Sequence, residues 1–108
     1  MEHIESNTKH YVIDKALFEK DKYKKLSNTS KLAYAIYHNY LTVAVDKDWI
    51  DENGNFYVEL SNDDLGEILN KSSNTIIKIK RELQEVGLLH QERAGLSKPN
   101  RLYIFEPS

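Results

Sequence analysis

The chain has 108 residues, 40% of them hydrophobic and 30% charged, with a formal net charge of −2 and no cysteine. One soluble domain is expected from that length and composition, and disulfides, thiolate metal sites and a cysteine nucleophile are excluded. No apolar run approaches the roughly 18 residues of a membrane helix, and "MEHIESNTKHY" lacks the basic and then apolar pattern of a signal peptide, so a cytoplasmic protein with no membrane partner is expected.

Residues 1–10 are polar and read as a flexible arm. "YVIDKALF" gives a short extended piece at Tyr11–Ile13 and one helical turn around Ala16–Phe18. "DKYKKL" reads as a solvated connector with Tyr23 and Leu26 turned inward. Ser27 suits an N-cap, and from Thr29 to about Ala44 the pattern is helical. Leu32, Ala35, Ile36 and Val43, flanked by Ala33, Tyr37, Tyr40 and Ala44, make an apolar surface wider than one core face needs. That helix is either buried on two sides or meets a partner.

"WIDENGNFYV" is a hairpin signal, with Asn53–Gly54 between Trp49–Ile50 and Phe56–Val58. Ser61 and Asp64 form a capping box that opens the helix "NDDLGEIL", with Leu65, Ile68 and Leu69 facing inward. "NKS" is a tight turn. Ser72 caps a helix from Ser73 to about Val86, whose core stripe is Ile76, Ile79, Leu83 and Val86. Gly87 stands where a glycine ends a helix. Two strands follow, Leu88–Arg93 and Arg101–Phe105, joined by "AGLSKPN". No internal repeat is present.

Two short helices joined by a tight turn form a helix-turn-helix, and a ribbon directly after the second helix makes it winged. The fold expected is α+β and mostly helical: a winged helix-turn-helix over residues 11–108 with an additional N-terminal helix and hairpin. In such folds the second helix enters the major groove of DNA.

The charge pattern supports that use. Residues 1–70 hold 8 Lys/Arg against 13 Asp/Glu, a balance of −5, whereas residues 71–101 hold 7 against 3, a balance of +4. Such asymmetry directs a basic face at a polyanion. Once the core stripe is set aside, Ser73, Asn74, Ile77, Lys78 and Arg81 fall on the opposite face, with Thr75 at its edge and Lys71 in the turn before. Hydroxyls, amides and cations suit bases and phosphates. Ile77 is placed for a thymine methyl or a dimer contact. Lys80 lies nearer the core boundary and is expected to snorkel outward. Arg93, Lys98, Asn100 and Arg101 supply the wing. The bland alternative is a solvated helix with local pairs Lys78–Glu82 and Arg81–Glu85, and a wing whose charges only keep an edge strand soluble.

Catalysis is not expected. His3, His10, His38 and His90 are scattered, no phosphate-cradling glycine loop is present, and Asp51–Glu52 and Asp63–Asp64 belong to a turn and a first helical turn. No metal and no cofactor are called for. An excess of apolar and aromatic surface at Tyr11, Tyr34, Tyr37, Trp49 and Ile50 points to a homodimer interface.

The segments "LFEKDKYKKLSNTSKLAYAIY", "DKDWIDENGNFYVELSNDDLGEIL", "SSNTIIKIKRELQEVGLL" and "GLSKPNRLYIF" resemble the N-terminal domain of RepA-type replication initiators of Gram-positive, theta-replicating plasmids. The resemblance covers about Tyr11 to Phe105, and "WIDENG" and "GLSKPNRLY" are its most specific parts. It implies a winged helix, distantly similar to the N-terminal domain of the primosomal protein DnaD, that binds repeated origin sequences in double-stranded DNA as a dimer. It places basic recognition positions on Asn74, Lys78 and Arg81 and wing positions on Lys98, Asn100 and Arg101, with Ser73 and Asn74 standing where relatives are often basic. It also implies a C-terminal domain that recruits host replication proteins, so the chain reads as a domain excised from a longer initiator. Two other readings fit the fold: a protein-interaction winged helix of a primosome-type protein, and a winged-helix transcriptional regulator.

Overall fold

The computed structural model describes residues 9–108. Most of the expected flexible arm therefore lies outside the described residues. The elements are α1 (Ala16–Glu19), α2 (Asp21–Lys24), α3 (Asn28–Lys47), α4 (Asn62–Leu69), α5 (Ser73–Glu85), β1 (Leu89–Glu92) and β2 (Arg101–Ile104).

Asp14 starts α1 by accepting the Ala16 N–H on its Oδ1 at 2.8 Å. The segment read as a connector is instead the helical turn α2. Its apolar residues show why: Tyr23 lies on the turn and Leu26 just past it, with the Leu26 N–H bonded to the Tyr23 carbonyl at 3.0 Å, so that both are buried on the core side.

Ser27 caps α3 as expected, accepting the Ser30 N–H on Oγ at 3.1 Å. The helix runs past the expected end to Lys47 and stops where Asp48 takes the left-handed conformation, φ 56°. Five consecutive residues, Ala33 to Tyr37, are all buried. At about 100° per residue they point in every direction, so the middle of α3 is enclosed on all sides. This resolves the wide apolar surface in favour of burial and corrects the expectation for Tyr34 and Tyr37. Both lie inside the chain's own core, and a partner surface cannot include them. The Tyr34 hydroxyl donates to the Phe105 carbonyl at 2.6 Å; the Tyr37 hydroxyl is buried with no partner among the described residues. Leu32, by contrast, is turned outward.

The hairpin forms, with Ile50 bridged to Phe56. Asp51 organises its turn by accepting the Asn53 and Asn55 N–H groups on Oδ1, each at 2.9 Å, and Gly54 supplies φ 85°. The hairpin's second arm does more than the sequence reading gave it. Val58 pairs with Leu102 through N–H···O bonds of 2.8 and 3.0 Å, which adds a short third rung beside β2.

α4 and α5 make the helix-turn-helix. Ser61 Oγ accepts the Asp64 N–H at 3.0 Å, and Ser72 Oγ accepts that of Thr75 at 3.2 Å. Between the helices, Asn70 is left-handed at φ 57° and the Lys71 N–H returns to the Gly66 carbonyl at 2.8 Å, the hydrogen bond that closes a Schellman C-cap. Ile76, Ile79 and Leu83 are buried as expected, each contributing roughly 1.5–3 kcal/mol. Val86 is only half-buried and serves as the C-cap of α5, which ends at Glu85. Ile68 faces solvent rather than the core.

Gly87, at φ 79°, turns the chain into the ribbon. β1 and β2 are antiparallel, pairing Leu89 with Ile104, His90 with Tyr103, Gln91 with Leu102 and Glu92 with Arg101. The inner face of the ribbon carries Leu89, Gln91, Leu102 and Ile104 against α5 and α3. The outer face carries His90, Glu92, Arg101 and Tyr103. Among the described residues no helix is long and apolar enough to cross a membrane. The architecture is the expected winged helix-turn-helix with α1–α3 and the hairpin added before it.

Candidate nucleic-acid interface

α5 divides its residues sharply. Its inner stripe is sunk in the core, while Asn74, Ile77, Lys78 and Arg81 are exposed and Lys71 is exposed just ahead of the helix. The local pairing that would make this face merely solvated is not formed. Glu82 turns away from Lys78, and its Oε1 accepts the buried Ser30 hydroxyl of α3 at 2.7 Å. Among the described residues neither Lys78 nor Arg81 lies within ion-pair distance of a carboxylate.

The polar residues that open α5 are partly committed elsewhere. The Ser73 hydroxyl donates to Asp63 Oδ1 in α4, and the Thr75 hydroxyl lies 3.1 Å from that of Ser72. Both are half-buried. The first fixes how the start of α5 sits against α4 and the second lies within α5's own N-cap, and together they leave Asn74, Ile77, Lys78 and Arg81 as its exposed outer row. Neither the Ser73–Asp63 bond nor the Ser30–Glu82 bond is expected from sequence. Asp63 carries only the general signal of an acid in a first turn, and Ser30 carries none, because its partner is 52 residues away.

Lys80 departs from expectation. It does not reach solvent: it is 6% exposed, and its Nζ donates to Gln91 Oε1 on β1 at 2.9 Å. Burial lowers its pKa to about 8, because removing water disfavours the charged form. Lys80 ties the helix to the ribbon rather than joining the exposed cations.

In the wing, Arg93, Lys98 and Asn100 are exposed. Lys98, Pro99 and Asn100 line a hollow together with Ser61, Asn62 and Lys80, so the returning arm of the wing lies beside the start of α4. Arg101 is placed differently. It sits on the outer face of the ribbon, away from α5, with its guanidinium 4.7 Å above the Tyr57 ring and 3.8 Å from Glu52. Tyr103 on the same face donates to Asp51 Oδ2 at 2.8 Å. The Asn55 N–H, helped by this Tyr103 hydroxyl, holds the Asp51 carboxyl below its ordinary pKa. Arg101 and Tyr103 thus bind the hairpin to the ribbon.

Of the residues expected at a dimer contact, Tyr11 and Ile50 are exposed and Trp49 is half-buried. Val12 and Ile13, next to Tyr11 in the chain, and Phe56, bridged to Ile50, are exposed as well.

Known proteins share this fold and much of this sequence. A solved N-terminal domain of a DNA-binding protein is 41% identical, with a TM-score of 0.84, over 100% of this chain and 84% of that one. A Rep–DNA complex is 41% identical, with a TM-score of 0.83, over 100% and 85%, and a structure described as an MDR initiator is 38% identical, with a TM-score of 0.81, over 100% and 87%. A 41 kDa protein of Lactobacillus helveticus is 32% identical over 80% of this chain, which spans 26% of that relative's length. Residues 9–107 match the family described as replication initiator protein A (RepA) N-terminus, and the chain belongs to that family.

Proposed function

We propose that this domain binds double-stranded DNA at repeated sequences of a plasmid origin, with α5 in the major groove and the wing on the flanking backbone. The observation that carries the reading is the outer row of α5: Asn74, Lys78 and Arg81 are exposed, the two cations have no ion pair among the described residues, and the carboxylate best placed to neutralise Lys78 is held by Ser30. An α-helix fits the major groove, which is about 12 Å wide. Similarity along the whole chain to a Rep–DNA complex supports the same use.

Lys71, Ser73, Asn74, Thr75, Ile77, Lys78 and Arg81 are assigned to the helix side of the interface, and Arg93, Lys98 and Asn100 to the wing. Ser73 and Thr75 act there chiefly by positioning. Two copies pair through the exposed apolar surface at Tyr11, Trp49 and Ile50, which sets two recognition helices about one turn of DNA, ~34 Å, apart. Recruitment of host replication proteins belongs to parts of longer family members beyond the matched region, and the work is done in the cytoplasm. The domain acts by binding, not by catalysis.

Salt titration of binding to origin duplex tests the proposal. With about five phosphates contacted, log affinity falls against log salt with a slope near −4.5. A slope near zero, or no binding at low salt, removes it. Sedimentation with and without DNA tests the dimer, and monomer throughout at high micromolar concentration overturns that part.

A further inference from the structure

The outer face of the ribbon and the hairpin turn enclose a hollow of about 610 Å³, a volume in the range of ligand pockets. No residue of α5 lines it, and neither does Arg93, Lys98 or Asn100. Three carboxylates do, Asp51, Glu52 and Glu92, against one fixed cation, Arg101, a balance of −2 before His90 is counted. Neutral donors hold Asp51, namely the Asn53 and Asn55 N–H groups and the Tyr103 hydroxyl, so its charge is solvated but not cancelled. The side chains of Glu52 and Glu92 are 80% and 53% exposed and loosely paired, with Arg101 at 3.8 Å and His90 Nε2 at 3.4 Å. Surface pairs of this kind contribute little.

The same face carries a row of rings. Tyr57, Tyr103 and His90 follow one another with centroids 6.2 and 6.3 Å apart. Phe56 and Phe105 also line the hollow, and both are exposed. A ring face is the negative part of the aromatic quadrupole, so the rings and the carboxylates favour the same ligand, a cation. The structure already holds one example, the Arg101 guanidinium 4.7 Å above the Tyr57 ring. This surface repels a phosphate backbone, and a wholly apolar ligand would strip water from the carboxylates at a cost. A guanidinium on an aliphatic stem satisfies both parts of the hollow. Its plane stacks on a ring, its N–H fork fits a carboxylate, and its stem lies on the apolar side chains. Ile50, exposed and bridged to Phe56, offers an apolar contact to a residue next to that arginine.

We propose that the outer face of the ribbon is a docking site for a partner protein, whose arginine side chain, with an apolar residue beside it, enters the hollow lined by Phe56, Phe105, Glu52 and Glu92. This surface stays open when α5 and the wing loop engage duplex. The acidic row of α4 offers charge without the rest. Asp63, Asp64 and Glu67 are exposed too, and Asp63 and Glu67 line a hollow of their own, but no aromatic ring lines it.

The test is an NMR titration of the isotope-labelled domain with the peptide Ac-Gly-Leu-Arg-Leu-Gly-NH2 to millimolar concentration. The same peptide with glutamate in place of arginine is the control. Saturable shifts are expected at the amides of Asn53, Asn55, His90 and Tyr103, with the arginine peptide alone. Replacing both Glu52→Gln and Glu92→Gln is expected to weaken binding about fivefold, and Phe105→Ala about threefold. The two carboxylates are exposed, and Phe105 gives the fold's hydrogen bonds only its main chain, an N–H to Leu88 and a carbonyl to Tyr34. These variants therefore melt near the parent. No saturable shift on the outer face overturns the proposal, and so does an equal response to the glutamate peptide. Shifts of equal size at Asp63, Asp64 and Glu67 reduce the effect to charge and overturn it too. Shifts on the outer face when the protein is diluted alone assign that face to a second copy, with the same consequence. Bound duplex is expected to leave the peptide's affinity unchanged; displacement of the peptide by duplex makes the face part of the DNA interface and sinks the idea. If the domain binds no duplex at all, the duplex-binding reading falls and the peptide titration still decides this one.

Discussion

Gly66 and Lys71 touch across the turn of the helix-turn-helix so closely that a Cβ on Gly66 would lie 2.6 Å from the Lys71 carbonyl oxygen. The Lys71 N–H meanwhile bonds the Gly66 carbonyl at 2.8 Å. The chain thus wraps back onto the one residue of α4 that has no side chain, and this contact sets where α5 begins. In an open helix, alanine in place of glycine would stabilise by roughly 0.5–1 kcal/mol. Here the clash is with backbone, which cannot swing aside.

Gly66→Ala is therefore expected to destabilise the domain by about 1–3 kcal/mol, the range for overpacking. The urea midpoint should fall with little change in slope. DNA binding should weaken further than unfolding alone explains, because α5 is displaced from its seat on α4. An unchanged or raised midpoint would show that the turn yields easily.

A second prediction concerns Tyr37. Its hydroxyl is buried without a hydrogen-bond partner among the described residues, and burial raises its pKa far above the ordinary tyrosine value. A buried hydroxyl without a partner costs free energy, whereas the ring itself packs well. Tyr37→Phe keeps the ring and removes the orphaned group. It is expected to stabilise by ~1 kcal/mol and to raise the melting temperature by several degrees. A loss of stability would mean that the hydroxyl has found water or a partner in solution.

The parts of this fold that sequence made legible are those in which cause and effect lie within one turn of each other. Ser27, Ser61 and Ser72 each cap a helix by bonding an N–H three residues on. Ile76, Ile79 and Leu83 repeat with the helical period, so their burial follows from spacing alone. The outer row of α5 was what remained once that stripe was removed. The misreadings share a different origin. Whether an aromatic row such as Tyr34 and Tyr37 faces its own core or a partner depends on distant elements that pack around it. Alternation along β2 separates Leu102 from Arg101 but does not say that Tyr57 and Glu52 will cover the arginine's side. Lys80 sat at the edge of an apolar stripe, where only the placement of Gln91 on the ribbon decides between solvent and burial.

That lysine gives a pH prediction. Its folded-state pKa is about 8 against an ordinary 10.5, so the unfolded chain holds the proton more tightly. The cost of burying the charge is therefore fully present below about pH 8. It is relieved as pH rises from about 8 towards 10.5, where the unfolded state binds more protons than the folded one. Lys80→Met, similar in length and uncharged, removes this term. The variant is expected to gain stability relative to the parent at neutral pH, and the gain should shrink as pH rises through that window. Gln91 is half-buried and can turn to water when the ammonium is gone. A difference between the two proteins that stays flat with pH would show that Lys80 titrates normally.

The last prediction separates three roles that the sequence alone had merged. Lys78 and Arg81 lie on the free row of α5, Lys98 lies on the wing loop, and Arg101 lies over Tyr57 on the outer face of the ribbon. If α5 reads bases, Lys78→Ala or Arg81→Ala should cost ~1–3 kcal/mol of binding and relax the preference at a definite base pair. Lys98→Ala should weaken binding about evenly across sequences and reduce the steepness of the salt dependence by about one. Arg101→Ala should behave like neither. It removes a cation–π contact and a partner of the hairpin, so its effect should appear in thermal stability, with the salt slope close to the parent's. Lys78, Arg81 and Lys98 make no contact that the fold depends on, so those three variants should melt near the parent. Should Arg101→Ala lower the salt slope as Lys98→Ala does, the guanidinium leaves Tyr57 when DNA arrives and the outer face joins the interface. Should Lys78→Ala and Arg81→Ala bind origin duplex like the parent while folded, α5 does not lie in the groove, and its unpaired cations need another partner.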